Sequence, residues 1–556
     1  MSRRTSVAFA LAGLALGGLA CKPSTPPSKS GAGPKSVIEK VQNEKNAPRL
    51  PVLGEKRIAG DAQDLRATPD GTVLTALVDG QKPPIQGAPP PMRLGELWAV
   101  PTVSGAAVKL GNGVTNMPGG WLFSPDSRWI LFAAAWDPTQ QVGELYVQDA
   151  KDLSKERERL SARVSYYVPS DDAKQLAFVE GGVLHVGPLP KGPFRQVAGE
   201  VSTAEFSADG KYVYFRRKYS AAGGLFQVTL AEERAQPKRL LDQVADYTVL
   251  RSGKHVVANS RAAPGDRTFQ LHAIDVATLN DRKLSDDAVR FRVTPDGQHV
   301  AWIANKGEVA ESGELWLSPV VGGKPRLVGD GVKDFEFSPD SKRLVFRENY
   351  LELPLGGREA KVGDPKVEKV GDLSLVELPD GAPKKLQKLC PNYLFSADGA
   401  ALAYTARIEK PDVTRRLLLL KPGATEAVAL KDWLYEYAFR PGSNELVFRA
   451  DCLREGRACD VLTMPLDAPK DALPRKLLEG VFSIKFSKDG GRGLIAYAHI
   501  TDQTFDLALR NMASGEQKTV DQYVEWPALS LGADGAYVAY LVKEKQRPGV
   551  YVVKSP

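Results

Sequence analysis

The chain repeats a short turn signature that is followed each time by an apolar strand. Four copies match closely, at Phe123–Ser127, Phe206–Gly210, Phe337–Ser341 and Phe395–Gly399. Seven looser copies lie at Thr68–Gly71, Pro169–Asp171, Arg251–Gly253, Thr294–Gly297, Arg440–Ser443, Ser487–Gly490 and Gly532–Gly535. Most neighbouring copies are 37 to 47 residues apart. A fixed period of this length is the mark of a repeat architecture.

The residues of the signature suit a tight turn between two strands. Proline fixes φ, the Asp side chain caps the turn, and glycine tolerates positive φ. A third strand then begins with a Gly-Glu-Leu-Trp variant, as at Gly95–Trp98 and Gly313–Trp316, and a fourth is basic and apolar, as at Lys324–Val328. Four short antiparallel strands at this period predict one blade of a β-propeller. The sequence therefore predicts an all-β fold of about eleven four-stranded units.

These units, from about residue 57 to residue 556, resemble the WD40-like repeats of the TolB-type propeller family. The resemblance implies a β-propeller fold. TolB-type proteins have an α/β domain before the propeller, whereas only a polar segment precedes the repeats in this chain. The partners of that family are therefore not carried over.

The two ends of the repeat region predict how it closes. Gly549–Val553 is a third strand without a fourth, and Glu55–Gly60 resembles a spare fourth strand, so the N-terminal strand is expected to complete the last unit. Propellers typically have four to eight blades. We therefore predict two propellers in series, over residues 52–288 with about five units and 289–556 with about six.

The first residues resemble the export signal of bacterial lipoproteins. Residues 1–20 combine Arg3 and Arg4 with an apolar run too short to span a bilayer, and small residues precede Cys21. The resemblance implies that Cys21 is lipidated, although Gly18 stands where that family usually has Leu; ordinary signal-peptidase cleavage is the alternative. Residues 21–51 are rich in Pro, Ser and Lys and predict a disordered tether. Lys22 favours the outer membrane, with the protein facing the periplasm or the cell surface.

Candidate site residues lie on the connections between second and third strands, which are the longest and most variable. Arg216, Arg347 and Arg449 occupy one position of the repeat and could form a binding rim for carboxylate or phosphate; the alternative is three solvated strand ends. In an oxidising compartment Cys452 and Cys459 are expected to form a disulfide within one hairpin loop.

The composition favours binding over catalysis. Seventy-four basic and 67 acidic residues give only a small positive excess, which argues against nucleic acid. Five scattered histidines and no nucleophile or metal motif predict no enzyme, cofactor or metal. We expect the loops to bind an envelope protein partner, and the N-terminal lipid to anchor the protein to the membrane. One alternative is a glycan or peptide sensor, in which loop aromatics such as Trp136, Tyr219 and Tyr350 would stack on the sugar. The other alternative is a metal-dependent lyase or hydrolase.

Overall fold

Antiparallel pairing between sequence neighbours organises the whole chain that the structure describes. The computed structural model describes residues 53–83, 92–103, 105–217, 223–261, 269–305, 312–354, 367–409, 413–453, 458–499, 504–525, 528–531, 537–542 and 547–554. Leu50–Pro556 forms one compact unit. These residues form strands and turns, and no helix among them is long and apolar enough to cross a membrane.

The strands fall into eleven four-stranded units within the described ranges, counted here from the N-terminal side. Units 1 to 3 contain β2 (Ala62–Ala67), β3 (Val73–Gln81), β4 (Leu94–Pro101), β5 (Val108–Thr115), β6 (Trp121–Phe123), β7 (Trp129–Asp137), β8 (Val142–Asp149), β9 (Glu158–Pro169), β10 (Gln175–Glu180), β11 (Val183–Pro188) and β12 (Arg195–Ala198). Units 4 to 6 contain β13 (Val201–Phe206), β14 (Tyr212–Arg217), β15 (Gly224–Thr229), β16 (Lys238–Asp242), β17 (Val244–Val249), β18 (His255–Ser260), β19 (Gln270–Asp275), β20 (Asp281–Ser285), β21 (Ala288–Val293), β22 (His299–Ala304), β23 (Gly313–Pro319) and β24 (Arg326–Val332).

The remaining units follow the same order. Units 7 and 8 contain β25 (Asp334–Phe337), β26 (Arg343–Pro354), β27 (Val367–Glu377), β28 (Lys384–Cys390), β29 (Tyr393–Phe395), β30 (Leu402–Ile408), β31 (Thr414–Leu420) and β32 (Val428–Lys431). Units 9 to 11 contain β33 (Leu434–Phe439), β34 (Glu445–Leu453), β35 (Ala458–Pro465), β36 (Arg475–Phe486), β37 (Arg492–Ala498), β38 (Thr504–Asn511), β39 (Gln517–Glu525), β40 (Ala528–Leu531), β41 (Tyr537–Val542), β42 (Gly549–Lys554) and β1 (Glu55–Ala59). The long strands β9 and β36 each serve two consecutive units.

The predicted turn signature builds the connection between first and second strands. In unit 4 the Ser207 hydroxyl donates to Asp209 at 2.7 Å and accepts the Tyr212 amide at 3.0 Å, while Asp209 accepts the Lys211 amide at 3.1 Å. The Ser207 hydrogen bond lowers the pKa of Asp209 below its usual value. Because the side chains satisfy the turn's own donors, the two strands leave it in a fixed register. The same Ser/Thr–Asp bond recurs in units 1, 2, 3, 6, 7, 8 and 10.

Each unit buries its apolar faces against the units before and after it. Apolar clusters join unit 1 to unit 2 and continue without a break to unit 11. A final cluster joins unit 11 to unit 1, where Ile58 and Val550 pack with Leu74. Trp302 of unit 6 and Leu271 of unit 5 share one cluster across the predicted boundary at 288/289. The apolar core of the described residues is therefore continuous across that boundary, and the number of propellers stays a prediction.

The N-terminal strand completes the last unit, as the sequence predicts. β1 pairs antiparallel with β42, with Glu55 opposite Val552 and Ala59 opposite Gly549. This pairing covers the free edge that β42 would otherwise expose.

Candidate functional site

The connections of each unit lie on two opposite faces of the molecule. Because successive strands are antiparallel, the turns between first and second strands and between third and fourth strands share one face, the turn face. The connections between second and third strands, with the links to the next unit, form the opposite loop face. The sequence analysis places the interaction site on the loop face, so its geometry decides what the candidate residues can do.

The three candidate arginines brace neighbouring units. They belong to units 4, 7 and 9, and each donates to an acceptor on the first strand of its own unit and to a carbonyl where the chain enters the next unit. These partners are Ser202 and the Ala245 carbonyl for Arg216, Asp334 and the Pro391 carbonyl for Arg347, and Glu436 and the Phe482 carbonyl for Arg449. These bonds make each arginine a brace between neighbouring units, and its part in a binding rim stays a prediction.

Arg347 shows the electrostatics of such a brace most fully. Its Nε donates to the two Asp334 carboxylate oxygens at 3.0 and 3.1 Å, and Tyr393 of unit 8 donates to the same carboxylate at 3.0 Å. Burial alone would lower the pKa of Arg347, but the bond to Asp334 outweighs it and raises that pKa. Burial raises the pKa of Tyr393 well above its usual value. Arg347, Asp334 and Tyr393 therefore lock units 7 and 8 together as a charged, hydrogen-bonded group.

The cysteines lie where the sequence analysis places them in the repeat. Cys452 and Cys459 are joined by a disulfide across the end of the β34–β35 hairpin of unit 9, on the loop face. Cys390 is a buried free thiol, and burial raises its pKa to about 12. Cys21, like the predicted signal and tether, lies outside the described residues, so its lipidation stays a prediction.

Unit 7 carries the longest described hairpin of the loop face. Its ladder continues beyond the body of the unit to the pair Pro354–Val367. Glu368 on this hairpin is buried and accepts from Arg407 of unit 8 at 2.9 Å and from Arg415 at 2.6 Å. Arg407 also donates to the Pro354 carbonyl at 2.7 Å. The sequence analysis missed this cluster because it treated the connections between second and third strands as loops, although the Leu-Glu-Leu alternation at 351–353 is a strand signal.

Two aliphatic side chains are exposed near the described end of this hairpin. The register places them on opposite faces of the ribbon, since Leu351 lies opposite Val370 and Val367 lies opposite Pro354. Leu351 is 48 % exposed and Val367 is 38 % exposed. Glu352 and Lys369 flank them as an exposed ion pair at 3.5 Å. An ordered hairpin with exposed aliphatic side chains and a polar rim has the composition of a protein-docking edge.

One histidine forms a hydrogen-bonded chain of Ser, His and Asp within unit 5. His272 Nε2 lies 3.1 Å from Ser260 Oγ, and its Nδ1 lies 2.9 Å from both Asp281 oxygens. The serine end of the chain is buried while the Asp281 side chain is 37 % exposed. A nucleophile needs its hydroxyl at the accessible end and its carboxylate inside, so this order favours a structural role. The backbone amide of Arg261, next to Ser260, is also engaged, by the Gln243 carbonyl at 3.1 Å.

Two of the other four histidines pair with an Asp of their own unit. His255 lies 3.6 Å from Asp275, and His499 lies 2.8 Å from Asp506. In the described ranges no group of three His, Cys, Asp or Glu side chains could hold a metal ion.

The aromatic residues considered for sugar stacking do not form one described group. Trp136 of unit 2 packs beside the core between units 2 and 3, and Tyr350 of unit 7 lies against Lys333 with 4.6 Å from the ammonium to the ring centre. Tyr219 lies outside the described residues.

An open cleft of about 650 Å³ between units 8 and 9 lies on the turn face and is lined by Lys421, Glu426 and Lys470 among others.

Comparisons with known proteins give distant structural likeness only. No protein-family model matches the chain, and no curated protein matches it. A solved eukaryotic initiation factor is 10 % identical with a TM-score of 0.38, over 73 % of this chain and 88 % of that one. Dipeptidyl peptidase 4 of Porphyromonas gingivalis is 12 % identical with a TM-score of 0.35, over 63 % of this chain and 57 % of that one. The tricorn protease is 12 % identical with a TM-score of 0.27, over 84 % of this chain and 53 % of that one. Likeness at this level carries no functional inference.

Proposed function

We propose that this protein is an exported, lipid-anchored envelope component whose loop face docks another protein. The observation that carries the proposal is the unit 7 hairpin, which extends from the loop face, is fixed to unit 8 through Glu368 and exposes Leu351 and Val367. A projecting element that is already fixed before binding loses less conformational entropy when a partner binds. The lipid anchor is supported by the resemblance of the residues up to Cys21 to the export signal of bacterial lipoproteins.

The proposal includes a single closed propeller of eleven units as the platform. The continuous series of apolar clusters and the final cluster between units 11 and 1 support it. A brace on the turn face supports it as well, because a basic residue near the start of a fourth strand donates to the next unit's turn. Arg326 of unit 6 donates to the Pro379 carbonyl at 2.9 Å, and Arg57 of unit 11 donates to the Gly105 carbonyl of unit 1 at 3.1 Å. The closing interface is thus built like an internal one.

The docking proposal is tested by crosslinking in cells, with the tagged full-length protein purified from solubilised envelopes. The test variant is Leu351→Lys with Val367→Lys, which places charge at the exposed hairpin. The matched control is Leu327→Lys, because Leu327 is 49 % exposed on the outer strand of unit 6, away from the hairpin. We expect a stoichiometric protein partner that the control retains and the hairpin variant loses. A partner that both variants retain, or no protein partner in any sample, would contradict a docking role for this hairpin.

A further inference from the structure

The chain enters the folded unit on the turn face. β1 is the fourth strand of unit 11, and its start at Glu55 lies opposite Val552, near the end of β42 on that face. Just before it, the Leu53 amide donates to the Val520 carbonyl at 3.0 Å. The described chain therefore begins on the turn face, opposite the face that carries the unit 7 hairpin.

The turn face also exposes large aliphatic side chains at the tips of its connections. Val321 is 66 % exposed and Leu473 is 86 % exposed, each between a third and a fourth strand. Val103 and Leu279 are exposed at the equivalent place in their units, and Leu53 is exposed at the chain entry. Single exposed apolar residues are common on soluble proteins, but their recurrence at one structural position calls for an explanation.

Leu279 adds an independent sign that this arrangement has a use. Its φ is +59°, in the left-handed region where glycine or asparagine is favoured and a leucine is strained. Its amide donates to the Asp275 carbonyl at 2.9 Å and closes the turn. A strained, exposed leucine contributes little to packing, so the side chain is better explained by contact with something outside the chain.

The positions of these tips indicate what that contact is. The tips lie in five units: Leu53 in unit 11, Val103 in unit 1, Leu279 in unit 5, Val321 in unit 6 and Leu473 in unit 9. Around the closed series of units they therefore lie in separate sectors and not in one patch. A protein partner would need a footprint as wide as the whole molecule to reach all of them. A flat lipid surface meets all of them at once.

We propose that the turn face rests on the membrane surface and inserts these aliphatic tips among the lipids. The proposal rests on the proposed function, because the lipid tether would bring this face to the membrane and turn the loop face away from it. Basic turn residues already pair with acids of the same turn, as Lys174 does with Asp172 at 3.6 Å and Lys211 with Asp209 at 3.5 Å. Contact through apolar tips is therefore expected to depend little on salt, unlike electrostatic membrane binding.

The test uses residues 22–556, which lack the signal and the lipidation site but retain every described strand, since the compact unit spans Leu50–Pro556. Binding is measured by flotation with vesicles of three parts phosphatidylethanolamine and one part phosphatidylglycerol. The test variant carries Val103→Ser, Leu279→Ser, Val321→Ser and Leu473→Ser, and the matched control carries Leu351→Ser and Val367→Ser on the loop face. Thermal melting of each variant verifies that it is folded.

We expect the unsubstituted chain and the loop-face control to float with the vesicles at both low and high salt. Removing the four tips should weaken binding by roughly tenfold or more, since each buried methylene of an anchor contributes to membrane affinity. Equal binding of the two variants, or no binding of the unsubstituted chain, would overturn the membrane contact. Binding abolished by salt would replace apolar insertion with an electrostatic contact and overturn the proposal as stated. The lipid anchor is decided separately, by mass analysis of the mature N-terminus at Cys21 in the full-length protein.

Discussion

The turn face and the loop face are built from the same strands but follow different rules. On the turn face, Ser/Thr–Asp turns recur in eight units with the same hydrogen bonds, so one short sequence signature is enough to specify each turn. On the loop face, connections range from the tight pair Glu180–Val183 in unit 3 to the long hairpin of unit 7. The repeated turn signature therefore fixes the connections on the turn face, whereas the connections on the loop face differ in length from unit to unit.

The faces also use charge differently. Loop-face arginines such as Arg347 and Arg449 have side chains only 13 % and 5 % exposed, and they pair with a carboxylate as well as with carbonyls. Turn-face basic residues such as Lys238 and Arg326 lie nearer to solvent and donate to carbonyls of the next unit. Because a buried charge costs far more when its partner is lost, substitutions on the loop face should cost more than equivalent substitutions on the turn face.

The largest effect is expected for Arg347→Met on the loop face. The substitution leaves the Asp334 carboxylate in a half-buried site with only the Tyr393 hydroxyl as a described side-chain partner. Removing one partner of a buried pair costs about 3–5 kcal/mol of the free energy of unfolding. The control is Arg416→Met, which breaks a bidentate but more exposed pair with Asp432 and should cost at most about 1 kcal/mol. Urea denaturation measures the free energy of unfolding of both variants. Equal losses would contradict the expectation that a buried ion pair costs more to break than an exposed one.

A smaller effect is expected for the turn-face braces, and it bears on ring closure. Arg57→Met and Arg326→Met each remove hydrogen bonds from a guanidinium to carbonyls of the next unit. Each should lower the free energy of unfolding by about 1–2 kcal/mol, at the lower end for charged hydrogen bonds because both sites are near solvent. The two costs should match if the closing interface is an ordinary inter-unit interface. A neutral Arg57→Met beside a costly Arg326→Met would contradict a single closed propeller.

The smallest effect is expected within a single turn and depends on pH. Ser207→Ala removes one hydrogen bond to Asp209 and should cost about 1 kcal/mol. The pKa of Asp209 is lowered in the folded protein, so its stabilising contribution is present above its unfolded pKa of about 3.9 and is lost as pH falls through the folded pKa. The difference in Tm between the variant and the unsubstituted protein should therefore shrink below pH 4. A difference that does not change with pH would assign the effect to the serine alone.

The sequence predicts the repeating unit more directly than the assembly of units. The Ser207–Asp209 turn, the four strands and the closing pair of β1 with β42 follow from local residue types and from the period. The number of propellers does not follow from them, because the packing of neighbouring units depends on side chains such as Leu271 and Trp302 that meet only across an interface. For the same reason the sequence could place Arg216 at a strand end but not tell a solvated end from a brace onto the Ala245 carbonyl.

We propose that the two faces meet different surroundings, with the turn face against the membrane and the loop face turned away from it. Single cysteines at Val321 on the turn face and Thr139 on the loop face test this in isolated envelopes with a membrane-impermeant thiol reagent. Thr139 is exposed on the β7–β8 connection of unit 2, outside the unit 7 hairpin where the partner is proposed to dock. Among the described cysteines the background is low, because Cys390 is buried and Cys452 is bonded to Cys459; the predicted lipidation would block Cys21. We expect rapid labelling of Thr139→Cys and slow labelling of Val321→Cys that becomes rapid when detergent dissolves the membrane. Equal labelling of both positions before detergent would contradict it.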